Sequence, residues 1–197
     1  MFVKGTALVA GLVVVGLAYL GWKLTARGAY ESAEFKVIKS DGLFSIREYP
    51  DLMMATTSTR FSSQGDDGSF MRLFRYISGS NDRQQKVAMT TPVFMNPEDS
   101  NSQGRMGFVI PRKINVQDVP SPTDDQVKLE RRQGGSYAAI RFNGRINNES
   151  LRRSTEKLRD WMTKHQIEGE EPIEFAGYDP PWTPGPFRRN EVLIRLK

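Results

Sequence analysis

Cysteine is absent from the chain, and histidine occurs once, as His165. The first absence removes disulfides, thiolate metal sites, cysteine nucleophiles and c-type haem attachment together. It suits the cytosol and tolerates the periplasm equally, so it selects no compartment. The second shortage makes a zinc site or a Ser-His-acid relay depend on His165 alone. Long basic runs are also missing. The formal net charge is +5, and residues 1–33 hold Lys4, Lys23 and Arg27 against Glu31, which is +2 of it. In the remaining body basic and acidic residues are interleaved, without the aromatic-basic repeats that line single-stranded nucleic acid, so nucleic acid is not an expected partner.

What is present is the material of a folded domain. Apolar residues make up 38% of the chain, with 11 Phe, 6 Tyr and 3 Trp, which is too much for a disordered segment. At 197 residues the chain is long enough for one domain with a real core and short for two. One long uncharged run stands apart, "TALVAGLVVVGLAYLGW" at residues 6–22, bracketed by Lys4 and Lys23. As a helix it covers about 25 Å, slightly under a ~30 Å hydrocarbon core, with Tyr19 and Trp22 at one interface. We read residues 1–24 as an uncleaved transmembrane anchor; a signal peptide cleaved after Gly28 is the alternative, and Lys23 and Arg27 suit it poorly. Lys23, Arg27, Lys36 and Lys39 on the C-terminal flank lean the body toward the cytoplasm, with a periplasmic or extracellular body still open.

Residues 25–41 read as a polar connector, and residues 42–197 as the soluble domain. Eight strands are expected there, at 43–49, 52–60, 86–94, 105–111, 127–131, 136–143, 173–178 and 190–196. Two helices interrupt them. The first spans about 68–78 and places Phe70, Leu73, Phe74 and Ile77 on one stripe; the second runs over about 149–166, with Leu151, Leu158, Trp161 and Met162 inward. The order strand, strand, helix, strand, strand then repeats after the Pro-rich loop at 119–125. The chain reads as internally duplicated, an α+β fold whose merged antiparallel sheet curls toward a barrel over both helices.

The segment "KVAMTTPVFM" (86–95) follows the first helix. Proline cannot donate to a ladder, so Pro92 places this strand at an edge or a bulge. The pleat sends Val87, Met89, Thr91 and Val93 to one face and Ala88, Thr90 and Phe94 to the other, both largely uncharged. Such a strand is buried on both sides or lies between core and an apolar groove.

This segment resembles the Lys-Ile/Val-x-Met-Thr-x-Pro-Val motif of the SOUL haem-binding protein family. "FSIREYPDLMMATTS" is similar to that family's opening hairpin, "GSFMRLFRYISGSN" to its first helix and following turn, and "AGYDPPWTP" with "RRNEVLI" to its C-terminal signature. The resemblance covers residues 35–197. It implies a distorted eight-stranded antiparallel barrel from a duplicated unit, flanked by two helices, and a function in binding haem or a related tetrapyrrole without a covalent link, for carriage or buffering at a membrane.

A haem site needs an apolar slot, cations at its mouth and optionally an axial ligand. Met89, Val93, Phe70 and Phe74 are the candidates for the slot, and Arg60, Arg72, Arg75 and Lys86 for the propionates. The family's histidine ligand precedes the tyrosine of Ile-Arg-His-Tyr, and here that position is Glu48. Tyr49 or Met89 then remains as an iron ligand, or the ring is held by apolar contact alone. His165, at the end of the second helix, is expected to pack and complement the helix dipole.

Two other readings stay open. Glu48 and Glu130 would form a carboxylate pair if the duplicated hairpins pack as mates, which keeps a general small-molecule module or hydrolase of the GyrI-like kind in view. The aromatic, Pro-rich loop "YDPPWTPGPF" (178–187) serves either as a cap on the barrel or as the docking surface of a membrane-tethered interaction protein without a small ligand.

The anchor is tested by fractionation. The full chain is expected to stay with membranes through high-salt and alkaline washing, while a chain starting at Tyr30 is expected in the soluble fraction. Mature soluble protein beginning near Ala29 would show a processed signal instead.

Overall fold

A computed structural model describes residues 30–60, 67–97, 103–180 and 183–197. The uncharged run at 6–22 lies outside these residues; among those described, no helix is long and apolar enough to cross a membrane.

The described residues open with two short strands inside the segment 25–41, which the sequence alone presents as a connector. These are β1 (Glu31–Ser32) and β2 (Lys36–Asp41), the latter exposed along its whole length. A tight turn with Gly42 at φ 59 leads into β3 (Phe44–Tyr49), and β4 (Leu52–Ser58) follows. Helix α1 (Ser69–Ile77) comes next, then β5 (Thr90–Thr91), β6 (Val93–Asn96) and β7 (Arg105–Val109). The second half supplies β8 (Val127–Arg132), β9 (Gly135–Asn143), α2 (Asn148–Lys164), β10 (Glu174–Gly177) and β11 (Arg189–Arg195).

Nine strands form one antiparallel, curled sheet in the order β2-β3-β9-β11-β10-β6-β7-β4-β8. Without β2 this order is a palindrome of the duplication. The units β3-β4-α1-β6-β7 and β8-β9-α2-β10-β11 each keep three strands together and send the first one to the far end, where β3 joins β9 and β8 joins β4. The duplicated α+β architecture expected from the sequence is therefore present, as a half-barrel with one extra edge strand, β2.

The expected strand at 86–94 is not continuous. Residues 86–89 are irregular, Thr90–Thr91 pair in parallel with β1, and buried Pro92 separates them from β6. Proline's missing N–H ends one ladder before the next begins, so of the two expectations, edge or bulge, the edge does not hold: Pro92 sits at a break, and β6 takes a central place between β10 and β7.

Period-two alternation gives the sheet two different faces. Its outer face carries both helices. Leu73, Tyr76 and Ile77 of α1 pack on Ala55, Phe108 and Val127, and Leu151, Leu158, Trp161 and Met162 of α2 pack on Ala138, Ile140, Phe175 and Val192. An Asn147 side chain that accepts from Ser150 N, answered by the Ser150 hydroxyl on Asn147 N, fixes where α2 starts. The inner face holds Tyr49, Leu52, Met54, Phe94, Val109, Tyr137, Tyr178 and Leu193. Gly134, between β8 and β9, is required by close approach, because a Cβ there would come within 2.5 Å of the Tyr49 carbonyl oxygen and 2.8 Å of Asp51 N.

Charge is buried among these rings. Glu191, at 0% exposure, accepts from Arg47 Nη1 at 2.6 Å, Arg47 Nη2 at 3.0 Å, Arg189 Nη2 at 2.7 Å and the Tyr178 hydroxyl at 2.7 Å. Burial opposes its ionisation, and the bonds from Arg47, Arg189 and Tyr178 outweigh that, holding its carboxyl below the usual range. A second pair joins the β8 end of the sheet to β10. Arg132 donates to Glu174 from Nε at 3.0 Å and from Nη2 at 2.5 Å, with its guanidinium 4.4 to 4.9 Å from the ring centres of Tyr49, Phe94 and Tyr137. Removing one member of such a pair strands the other in low dielectric. We expect Glu191→Ala to lose about 3–5 kcal/mol in chemical denaturation, and Arg47→Leu added to it to recover part of that loss.

Candidate functional site

Helix α1 is short, and the sequence reading misplaced one side of it. The buried stripe is Ser69, Leu73, Tyr76 and Ile77. Phe74, expected inside, is instead 41% exposed, and the neighbouring Met71 is 46% exposed. The rotation follows from Tyr76. Its ring is buried and its hydroxyl donates to the Pro120 carbonyl oxygen at 2.8 Å, turning the opposite side of the helix to solvent. Phe70 bridges the two environments. It meets Phe108 of the core edge-on at 5.3 Å and stacks with Phe74 at 6.2 Å and 13°.

The result is an apolar patch of Phe70, Met71 and Phe74 on the outer surface. The segment after α1 lies alongside its C-terminal end, because Val87 N donates to the Ile77 carbonyl oxygen at 2.8 Å. Met89 is half-buried against the cluster that holds Leu73 and Phe108, and half-buried Val93 touches the packing of both helices. Arg75 and Lys86 are exposed, with no acidic partner among the described residues. Phe70, Met89 and Val93 thus share the half-buried margin of the cluster under α1, while Phe74, Arg75, Lys86 and the unforeseen Met71 are exposed on α1 or the segment after it.

The other candidates divide. Arg72 is committed to structure, donating to the Thr57 hydroxyl at 3.1 Å and to the Asp67 and Ser58 carbonyl oxygens at 3.2 and 2.8 Å. Arg60 has an exposed side chain, and its backbone N donates to Asp67 Oδ2 at 2.6 Å. Tyr49 stands apart. It is 2% exposed on the inner face, between Phe35 and Tyr137, while α1 lies on the outer face. Burial raises its pKa against the opposing pull of Arg47, so it is a poor phenolate donor to a ring docked at α1.

The proposed carboxylate pair is not formed. Glu130 accepts from Arg105 at 2.8 Å, and Glu48 is exposed on β3, in register with Lys36 and Ser136. His165 caps α2, with Nδ1 2.8 Å from the Trp161 carbonyl oxygen and its ring 4.6 Å from that of Trp161. Of the loop at 178–187, Tyr178 points inward onto Glu191, Phe187 is exposed, and Trp182 lies outside the described residues. The sequence reading missed Met71 and the whole inner ion-pair network.

An α+β half-barrel built from two swapped repeats, its concave side full and its helices outside, is the class that this architecture defines. The chain belongs to the SOUL heme-binding protein family, whose model matches residues 30–195. It is 29% identical over 177 residues to Heme-binding protein 1 of Xenopus laevis, covering 84% of this chain and 92% of that one. It is 31% identical over 128 residues to Heme-binding protein 1 of Bos taurus, covering 62% and 66%. Among solved structures, the EcmrR C-terminal domain superposes with a TM-score of 0.58 at 11% identity, over 78% of this chain and 96% of that one. A hydrolase from Listeria innocua gives 0.54 at 8%, over 81% and 94%. At these identities the two structures share the fold alone.

The start of α1 is held by Asp67, whose Oδ1 accepts from Ser69 N at 3.0 Å. Burial raises its pKa, but bonds from Ser69, Arg60 and Thr59 dominate and bring it to about 2. A depressed carboxylate contributes stability that is complete above its unfolded pKa, near 4, and is lost as pH falls toward 2. Asp67→Asn is therefore expected to lower stability by about 0.5–2 kcal/mol at pH 7, and its melting curve to converge on the parent's near pH 2. A difference that persists at pH 2 would assign the effect to something other than the carboxylate.

Proposed function

We propose that this protein binds haem or a closely related tetrapyrrole, without a covalent link, on the outer surface at α1. The observation that carries this reading is the patch of exposed Met71 and Phe74 with half-buried Phe70, on a helix whose exposed Arg75, like the nearby Lys86, has no acidic partner among the described residues, in a chain whose relatives are named for heme binding. A flat apolar ring with two carboxylates needs such a surface, with aromatic area for its face and cations for its propionates. The inner face supports the same location, since aromatic rings and two ion pairs occupy it and the pocket left beside Arg132 and Glu174 is only about 90 Å³, too small for a macrocycle.

No histidine stands at this patch, so iron ligation falls to a thioether, Met71 or Met89, or is absent. The protein's work on this reading is reversible capture and release rather than catalysis. A tether through residues 6–22 would keep that capture at a membrane surface, and its support is the uncharged run itself. The positive flank leans the domain toward the cytoplasmic side.

Haemin titrated into the full chain in neutral detergent, followed at the Soret band against empty micelles, tests the reading. A saturable shift near one equivalent is expected. Phe74→Ala should weaken it about five- to a hundredfold, corresponding to about 1–3 kcal/mol of apolar contact, with little change in melting temperature because Phe74 is already 41% exposed. His165→Ala should leave the spectrum unchanged. Loss of the shift in His165→Ala with none in Phe74→Ala would move the site to α2.

A further inference from the structure

A cavity lies on the other half of the molecule, away from α1. Strand β3 begins at Phe44, opposite Ile140, and Arg141 N still donates to the Leu43 carbonyl oxygen at 2.9 Å, while β9 continues to Asn143, so Phe142 and Asn143 have no paired strand residue on that side among the described residues. The notch left there has a volume of about 470 Å³ and is lined by Leu43, Ile140, Arg141, Phe142, Asn143, Ser154, Lys157 and Arg189. That volume falls within the ~300–1,000 Å³ of small-molecule sites.

Its chemistry is one-sided. Leu43 and half-buried Phe142 give apolar surface over buried Ile140, and Leu43 is 52% exposed although large and aliphatic. Three cations border the notch, and no carboxylate is among the lining residues. Arg189 is held by Glu191 through Nη2 at 2.7 Å, but its Nε is buried with no hydrogen-bond partner. Arg141 and Lys157 are exposed and have no acidic partner among the described residues. Unpaired cations beside uncovered apolar surface complement one kind of ligand, an apolar body with an acidic end.

We propose that the notch between the end of β9 and α2 binds a compact anionic amphiphile. The apolar body lies on Leu43 and Phe142, and the acidic group is met by Arg141 and Lys157. This site is separate from the patch at α1 and does not depend on it. Its ligand shares with haem the pairing of apolar surface and carboxylate, and a single-chain acid has the same chemistry.

Photolabelling of the full chain with benzophenone-4-carboxylate, mapped by mass spectrometry, tests the proposal. Saturable labelling is expected on residues 140–143 and 154–157, at least tenfold above that by neutral 4-methylbenzophenone. It should fall tenfold or more in the R141E/K157E double variant, whose side chains face solvent. R141Q/K157Q provides the same reading with a smaller perturbation if charge reversal lowers the melting temperature. Displacement of the label by decanoate identifies a single-chain acid, and displacement by haemin in the Phe74→Ala background identifies a propionate carrier; displacement by neither overturns the proposal. So does equal labelling by the charged and neutral probes, or labelling unaffected by both double variants. Label confined to residues 69–77 and 86–93 also overturns it, while leaving the patch at α1 standing.

Discussion

The interior of this protein is organised around one carboxylate. Glu191 on β11 accepts from β3 through Arg47, from the end of β10 through Tyr178, and from its own strand through Arg189. A fully buried charge is tolerated only when its lone pairs are taken up, and both arginine donors are themselves held by aromatic surface. Arg47 lies 4.5 Å from the Phe35 ring centre and Arg189 4.4 Å from that of Tyr178. The curvature of the sheet must therefore bring β3, β10 and β11 to a fixed separation. Arg132 and Glu174 repeat the constraint between β8 and β10.

Filling the inner face this way has a functional corollary. A curled sheet offers its concave side as the obvious place for a ligand, and here that side is closed by the protein's own rings and charges. On the outside α1 covers the sheet incompletely, which leaves Phe74 and Met71 exposed. Nine residues of helix cannot bury both Tyr76 and Phe74, and the tyrosine, with a carbonyl to donate to, takes the inner position.

Much of this was legible in the residues. Repeating element order exposed the duplication, and the palindromic strand order is its structural form. Leu151, Leu158, Trp161 and Met162 marked the buried side of α2 correctly because that helix is long enough for its apolar period to fix one rotation. Helix α1 was harder, since Phe70, Leu73, Phe74 and Ile77 form a good stripe and only the tertiary partner of Tyr76 shifts it. The split at Pro92 was half legible. Proline announced an interrupted ladder, but the pairing of Thr90–Thr91 with Glu31–Ser32 depends on a contact between distant segments. The ion pairs were readable by parity, because Arg47 alternates with Ser45 and Tyr49, and Glu191 with Leu193. A charge on an inward position looks like an exposed edge until its counter-charge, far away in sequence, is known. No such parity rule could reveal Met71, whose exposure follows from the rotation of its helix.

The exchange of first strands between the repeats bears on how the molecule comes into being. Phe44 pairs with Ile140 and Leu52 with Arg132, so neither repeat completes its sheet with its own residues. The N-terminal hairpin must wait for β9, and β8 must reach back to β4, before either edge is satisfied. During synthesis the first repeat leaves the ribosome with open ladders on β3 and β4, and these close only when the second repeat has emerged. Half of this fold is not a smaller version of it, and the ancestor of the duplicated chain would have reached the same architecture by exchanging strands between two copies of itself.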